Sequence, residues 1–310
     1  MATMNALNYA AQYSQALANA YPHVLRFGAL YATPNNGRYR MGEDGKTIYI
    51  PRIRTSGRVD SSRDSIGFAT RNYDNSWEPK TLSFQRKWST LVHPKDIDQT
   101  NQVASIINIT RTFNETQKFP EIDAFTVSRL YTQWSTTDAN DADKTAMTAD
   151  STALSASSVL TIFDTLMLKM DNALVPANGR ILYCTYEVQK MINSASQIAR
   201  QRDVVGGRSA LNSIVTRIDE VEVVPVPASL MKTAYTFTEG FTPATGAGQI
   251  DMFLVHPDAV ITPVSYEFAQ LDAPSAVTEG KYIYFEESYQ DAFILNKRQD
   301  ALQFHVTAAG

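Results

Sequence analysis

The segment Gly45–Trp88, GKTIYIPRIRTSGRVDSSRDSIGFATRNYDNSWEPKTLSFQRKW, constrains this chain more than any other. Two stretches of strand character, Lys46–Ile53 and Lys80–Trp88, enclose a run of Ser, Asp, Asn, Arg and Gly, which predicts a long polar hairpin. A connection of that length is uncommon in a compact domain unless it has a task, and an isolated two-stranded hairpin is marginal in water. Trp77, Phe84 and Trp88 lie within it, and no helix is evidently dedicated to covering them. The hairpin either packs back on its own core, the usual fate of hairpins, or finishes its burial on another subunit, and its polar tip and local positive charge favour the second.

Charge sharpens the expectation. Lys46, Arg52, Arg54, Arg58, Arg63, Arg71, Lys80, Arg86 and Lys87 stand against Asp60, Asp64, Asp74 and Glu78, so the segment carries +5 in a chain of net charge −4. The remainder carries −9, and one part of the molecule is electrically complementary to the rest. A protein that grips nucleic acid by its phosphates needs a cationic excess, which the whole chain lacks. A basic hairpin suits DNA or an acidic surface on a second copy, and the second explains both halves of the split.

The 310 residues, 44% hydrophobic and 19% charged, are enough for a globular chain of about two domains with a real core. No window of about 18 residues is continuously apolar, so no membrane helix is expected. The first residues lack a basic leader and an apolar h-region, which argues against a secretory signal. Cys184 stands alone, excluding a disulfide framework and fitting a reducing cytoplasm.

Met4, Leu7, Ala11 and Leu17 recur at helical spacing, and the apolar but Pro- and Gly-broken stretch to Arg40 reads as an extended arm. After His93–Pro94, Asp96 and Gln99 form a capping-box pattern. Val103, Ile106, Ile107, Thr110 and Phe113 then mark one buried helical face. Pro120 is expected to end that helix near Lys118 and open a second, with Ile122, Phe125, Leu130 and Trp134 inward. The acidic run Thr136–Asp150 is the candidate boundary. Val159, Phe163, Leu166, Met167, Met170 and Leu174 predict a third helix. The strand RILYCTY, a helix near Glu187–Ser196, a glycine-containing loop Arg200–Ser213, and strands in EVEVVPVP, MFLVHP, KYIYFEESY, AFILN and LQFHV follow. Pro225 and Pro227 place EVEVVPVP at a sheet edge or strand end. The fold class expected is α+β.

No catalytic, cofactor-binding or metal-ligating set emerges. His23, His93, His256 and His305 are scattered without metal-ligand spacing. Asp138, Asn140, Asp141 and Asp143 open like a calcium loop but meet Ala142 and no glycine at the sixth position. Gly206–Gly207 and Gly246-x-Gly248 lack the strand–helix setting of phosphate loops. There is no G-x-S-x-G elbow. Cys184 sits in an apolar strand without a basic neighbour and reads as a core thiol. Glu286 and Glu287 point to opposite faces of their strand.

The order of elements resembles the major capsid proteins of tailed bacteriophages, the Hong Kong 97 type of shell fold. The resemblance is carried by RKWSTLVHPKDIDQTNQVASIINITRTFNETQKFPEIDAFTVSRLY, Arg86–Tyr131, above all by DIDQTN and PEIDAF. GRILYCTYEVQKMINSA, EVEVVPVPASLM, MFLVHPDAVI and SYQDAFILNKRQDALQFHV follow in the same order. It implies an N-terminal arm over 1–44 and an extended loop over 45–90 that lies on a neighbouring subunit. It implies a peripheral domain with a long spine helix over 91–152 and about 256–300. An axial domain would take 153–255 and the C-terminal strand about 301–310. The implied function is an icosahedral shell of hexamers and pentamers enclosing double-stranded DNA without sequence-specific binding. Such a shell is assembled in the bacterial cytoplasm and resides in the virion.

The partners implied are further copies, a portal protein and a decoration protein. Because the arm starts almost at Met1, where some relatives carry a cleaved scaffolding domain, a separate scaffolding protein is expected. Lys46, Lys80 and Lys87 lie where other relatives form a Lys–Asn isopeptide bond, but no motif identifies the partner asparagine or a carboxylate. Arg52, Arg54, Arg58, Arg63, Arg71, Trp77 and Arg86 are the expected inter-subunit contacts. Two alternatives stand beside this reading: an encapsulin-like nanocompartment of the same fold, and a soluble α+β enzyme with a site scattered through the sequence.

Overall fold

A computed structural model describes residues 23–58, 60, 71–99, 105–137, 145–195 and 215–307. At its centre is a five-stranded sheet in the order Leu302–Thr307, Gln249–Val255, Ile181–Thr185, Val221–Val226, Arg217–Ile218. Ile181–Thr185 is buried at every position, as a strand covered on both faces must be. Ile181, Tyr183, Phe253, Val255 and Phe304 face one core, against Ala124, Val127, Leu130 and Trp134. Leu182, Cys184, Met252 and Leu254 face another, closed by the helices Val159–Asn172 and Tyr186–Ser194. The period-two alternation of a strand therefore sorts one apolar run into two cores. Pro225 sits beyond the two residue pairs that Arg217–Ile218 makes with its neighbour.

The spine departs from expectation at Pro120. Instead of two helices, the backbone stays helical from Ile106 to Ser135, as Ile106–Phe113, a π-helical turn Asn114–Lys118, and Phe119–Ser135. Proline has no N–H and its ring crowds the preceding turn. The wider turn just ahead of it accommodates both problems, and the rod continues for about 45 Å. Its N-cap is Ser105, whose Oγ accepts from the Asn108 N–H at 3.5 Å. Asp96, the expected cap, lies inside a separate short helix, Pro94–Gln99.

The second flanking strand of the hairpin also divides. Thr47–Thr55 pairs with Tyr73–Thr81. Phe84–Val92 turns away and joins a three-stranded sheet with Tyr282–Gln290 and Val264–Asp272. This outer sheet lies on the spine: the Trp88 ring stacks on Phe113 at 3.9 Å and Phe84 on Phe125 at 3.9 Å. Two of the three aromatics expected to be uncovered are thus covered by the chain's own helix. The arm is corrected too, from His23 onward. Phe27 and Leu30 are fully buried in the first core. Asp123, itself fully buried, lies 2.7 Å from His23 Nε2 and accepts the Arg26 N–H at 3.0 Å. Residues 1–22, Arg63, Asp138–Asp143 and Gly206–Gly207 lie outside the described residues.

At the C-terminal strand, His305 is completely buried. Its Nδ1 lies 3.1 Å from Asp251 Oδ2 and its Nε2 2.8 Å from the Thr152 carbonyl. Both ring nitrogens face acceptors, which only the imidazolium can satisfy. Burial works against that charge, but Asp251, Thr152 O and Asp150 outweigh it and hold the pKa above its ordinary 6.5. The folded value exceeds the unfolded one. The stabilisation is therefore complete below the unfolded value and lost as pH rises through the folded one. Urea unfolding followed upward from below the ordinary histidine value is expected to show stability falling as pH rises, and a flatter profile for His305→Gln.

Candidate subunit interface

The hairpin is anchored at its root and bare beyond it. Gly42 opens a tight turn in which its N–H reaches Thr47 O at 2.7 Å, and a Cβ at Gly42 would come within 2.9 Å of that same oxygen. Asp44 Oδ1 accepts the Thr47 N–H at 2.9 Å. From this turn the strand delivers Ile48 and Ile50 into a small core with Leu82, Ile261 and Phe293. Asp291 locks the other end of the root. Its side chain is fully buried, with Oδ1 2.9 Å from Arg129 Nε and Oδ2 accepting from Ser83 N and Oγ at 2.9 and 2.8 Å.

Past Ile50 the register makes the ribbon two-faced. Tyr49 pairs with Pro79, Pro51 with Trp77, Ile53 with Asn75 and Thr55 with Tyr73, so these residues share one face. That face is largely apolar and open: Ile53 is 68%, Tyr73 56% and Trp77 53% exposed. The opposite face carries Arg52 and Arg54 on one strand and Asp74, Glu78 and Lys80 on the other, with Arg54 directly opposite Asp74. A contiguous bare apolar face of this kind marks an interaction surface. Tyr49, Ile53 and Tyr73 share this face and were not in the expected contact set. The signal was present in TIYIPRIRT, whose alternation puts Tyr, Pro and Ile on one face and Arg on the other.

The expected contact residues separate in three ways. Trp77 lies on the apolar face. Arg52 is half-buried at a crevice of about 330 Å³ beneath the ribbon, where Arg38, Lys297 and Arg298 also gather. Arg54 and Arg58 are exposed, and the Arg71 guanidinium lies 5.8 Å from the Tyr73 ring. Arg86 belongs elsewhere. It stands in the outer sheet, donates from Nε and Nη2 to Glu121 at 2.5 and 3.3 Å, and gives a further bond to Phe237 O at 2.7 Å. These bonds tie the guanidinium to its own chain, and its side chain remains 29% exposed. Burial lifts the Glu121 carboxyl above its usual range, with Arg86 opposing.

Elsewhere the titratable groups are structural. Burial pushes the Cys184 thiol up to about 12, the reverse of an activated nucleophile. His256 Nε2 lies 3.1 Å from Asn178 O, and the His93 imidazole accepts the Lys95 N–H. Lys118 Nζ lies 3.3 Å from Glu286, while Gln85 donates to Glu287, so the two adjacent carboxylates serve different neighbours. Among the described residues, no cluster of His, Cys, Asp or Glu could hold a metal ion, and no helix is long and apolar enough to cross a membrane.

No family model and no curated protein matches this chain. Solved structures do. A chain from Mycobacterium phage Che8 superposes with a TM-score of 0.65 at 13% identity, over 95% of each chain. One from the capsid of the cyanophage P-SCSP1u gives 0.64 at 12% identity, over 97% of this chain and 94% of that one. One from the mature capsid of bacteriophage PhiM1 gives 0.63 at 10% identity, over 86% and 83%. Spine, outer sheet, central sheet and hairpin together form the α+β architecture of phage capsid chains, the Hong Kong 97 type of fold.

Proposed function

We propose that this chain is the major capsid protein of a tailed phage, a structural and non-enzymatic subunit whose copies close into an icosahedral shell around double-stranded DNA. The observation that carries the reading is the two-faced ribbon: a nine-residue strand pair, Thr47–Thr55 with Tyr73–Thr81, rooted in the body and bare on its apolar side. On a fold shared with phage capsid chains, its natural cover is a sister copy. A surface that meets a different surface on the next copy closes into rings when the rotation allows.

In this reading the ribbon is the extended loop. The spine and outer sheet form the peripheral part, and the central sheet with its two outer helices forms the axial part of hexamers and pentamers. Trp77, Ile53 and Tyr73 supply the apolar contact, while Arg52, Arg54, Arg58, Arg63 and Arg71 seek the acidic remainder of a neighbour. The negative net charge suits a container, because strong phosphate binding by every subunit would hinder packaging and release. A separate scaffolding protein and a portal protein are the further partners in this reading, and assembly takes place in the bacterial cytoplasm.

Electron micrographs of the purified protein, with and without a co-expressed scaffold, test the reading. Closed particles of uniform size are expected, with nuclease-resistant DNA inside those recovered from infected cells. Particles filled with protein cargo would favour a nanocompartment. A small soluble oligomer under every condition would remove the shell reading.

A further inference from the structure

Two concavities open on the surface, and they differ in chemistry. One, of about 520 Å³, lies between the spine and the outer sheet and is walled by apolar side chains, among them Ile107, which was expected to be buried and is 78% exposed. The other, the crevice of about 330 Å³ beneath the ribbon, is charged. Arg38 of the arm, Arg52 of the ribbon, and Lys297 and Arg298 of the turn Asn296–Ala301 line it, against one carboxylate, Glu78. Glu78 also lies 2.5 Å from Lys80 Nζ, so it is shared with a fifth cation. Arg298 donates from Nη1 to the Asp258 carbonyl at 2.8 Å, which fixes the guanidinium without neutralising it. A cleft lined by one sign of charge focuses the field and gathers the opposite sign. Ile50, Ile261 and Leu295 line the crevice as well. A nucleic-acid phosphate would leave these aliphatic groups unmatched, whereas carboxylates on a peptide turn with apolar flanks meet both.

The chain carries such a turn. Asp219 and Glu220 join the paired strands Arg217–Ile218 and Val221–Val226, at φ +46° and +69°. Two successive left-handed residues make the tight turn of a hairpin, a place that asparagine and glycine fill at least cost. Here both positions hold exposed carboxylates, with Ile218 half-buried beside them. Burial, and then the charge of Asp219, lift the Asp164 carboxyl above its usual range, which marks the two as near neighbours. Among the described residues, Asp164, Asp219 and Glu220 have no ion pair. They form a negative knob at the edge of the central sheet. No residue of the knob lines the crevice of its own chain, so the two can meet between copies.

We infer that the crevice of one copy seats the Asp219–Glu220 turn of the next, with Arg38, Arg52, Lys297 and Arg298 around its carboxylates and Leu295 against Ile218. The inference rests on the shell reading for the presence of a neighbour, and it gives the charge complementarity of the copies a location on each. The two surfaces differ, as a contact that repeats around a ring requires.

Charge exchange tests it. Arg38→Glu with Arg298→Glu, and separately Asp219→Lys with Glu220→Lys, are each expected to lower the yield of assembled particles by at least about tenfold, and the four changes together to restore most of it. A second measurement uses the native chain. A carbodiimide joins a lysine to a carboxylate held against it, and in particles built from mixed isotope-labelled and unlabelled subunits it should link Lys297 to Asp219 or Glu220 across a labelled and an unlabelled chain. Native particle yield from either pair of reversals overturns the inference, as do native particles in which that link is absent or confined to one chain. Reversals at the crevice that keep the particles but lose packaged DNA would assign it to phosphate and overturn the inference too. In each of these outcomes the shell reading stands; a native chain that builds no particles under any condition removes both.

Discussion

Replacing Trp77 and Ile53 together by glutamate is expected to give folded subunits that build no closed particles. Both side chains are more than half exposed and lie on the ribbon's open face, so their loss should move the urea unfolding free energy of the subunit by no more than about 0.5 kcal/mol. Their burial on a neighbour is worth about 2–3 kcal/mol each, and tryptophan is the residue most often found to dominate an interface. A shell repeats this contact on every copy, so the change becomes all-or-none in micrographs and sedimentation. Reversing Arg54 and Arg58 instead should slow assembly and make it more salt-dependent without abolishing it, because exposed charges steer encounters more than they hold complexes. Full-sized particles from the Trp77→Glu, Ile53→Glu variant at native yield would refute the role given to this face.

The largest effect on the subunit itself is expected at Asp291. This carboxylate is completely buried between Arg129 of the spine and Ser83 at the hairpin root, and it also accepts the Ala292 N–H at 2.7 Å. Asp291→Ala would leave the Arg129 guanidinium without its anion and the Ser83 N–H without its acceptor, at a cost of about 3–5 kcal/mol. That is a large part of the stability of a typical domain. Adding Arg129→Met should recover part of the loss, since removing both members of such a pair costs less than stranding one. Urea unfolding of the three variants checks this, and a loss below about 1 kcal/mol for Asp291→Ala would show that the node does not hold the root.

How much could be read in advance differs along the chain. RILYCTY was legible as a strand because a strand covered on both faces needs an unbroken apolar run. Val159, Phe163, Leu166 and Met170 were legible as a buried helical face for the same local reason. Leu174 was wrongly counted with them: it lies past the helix end, 90% exposed and at φ +58°. Pro120 misled because its usual rule treats a helix as α throughout, and one π turn suspends it. Lys80–Trp88 misled more deeply. The break after Thr81 is short and carries no proline or glycine, so nothing local announces that Phe84–Val92 leaves the ribbon for another sheet.

Taken alone, the sequence determined the periodicities, the order of elements, the concentration of positive charge between Lys46 and Lys87, and the absence of any familiar catalytic spacing. Those properties reside in neighbouring residues and need no partner to express them. Only the tertiary structure decided that Arg86 is held by Glu121, that Phe27 and Leu30 complete the core, and that Ile53, Tyr73 and Trp77 stand exposed together on one side of the ribbon. Each of those depends on contacts between residues far apart in the chain or on strand register, and a shift of one residue in register would have turned Trp77 from the open face to the ionic one.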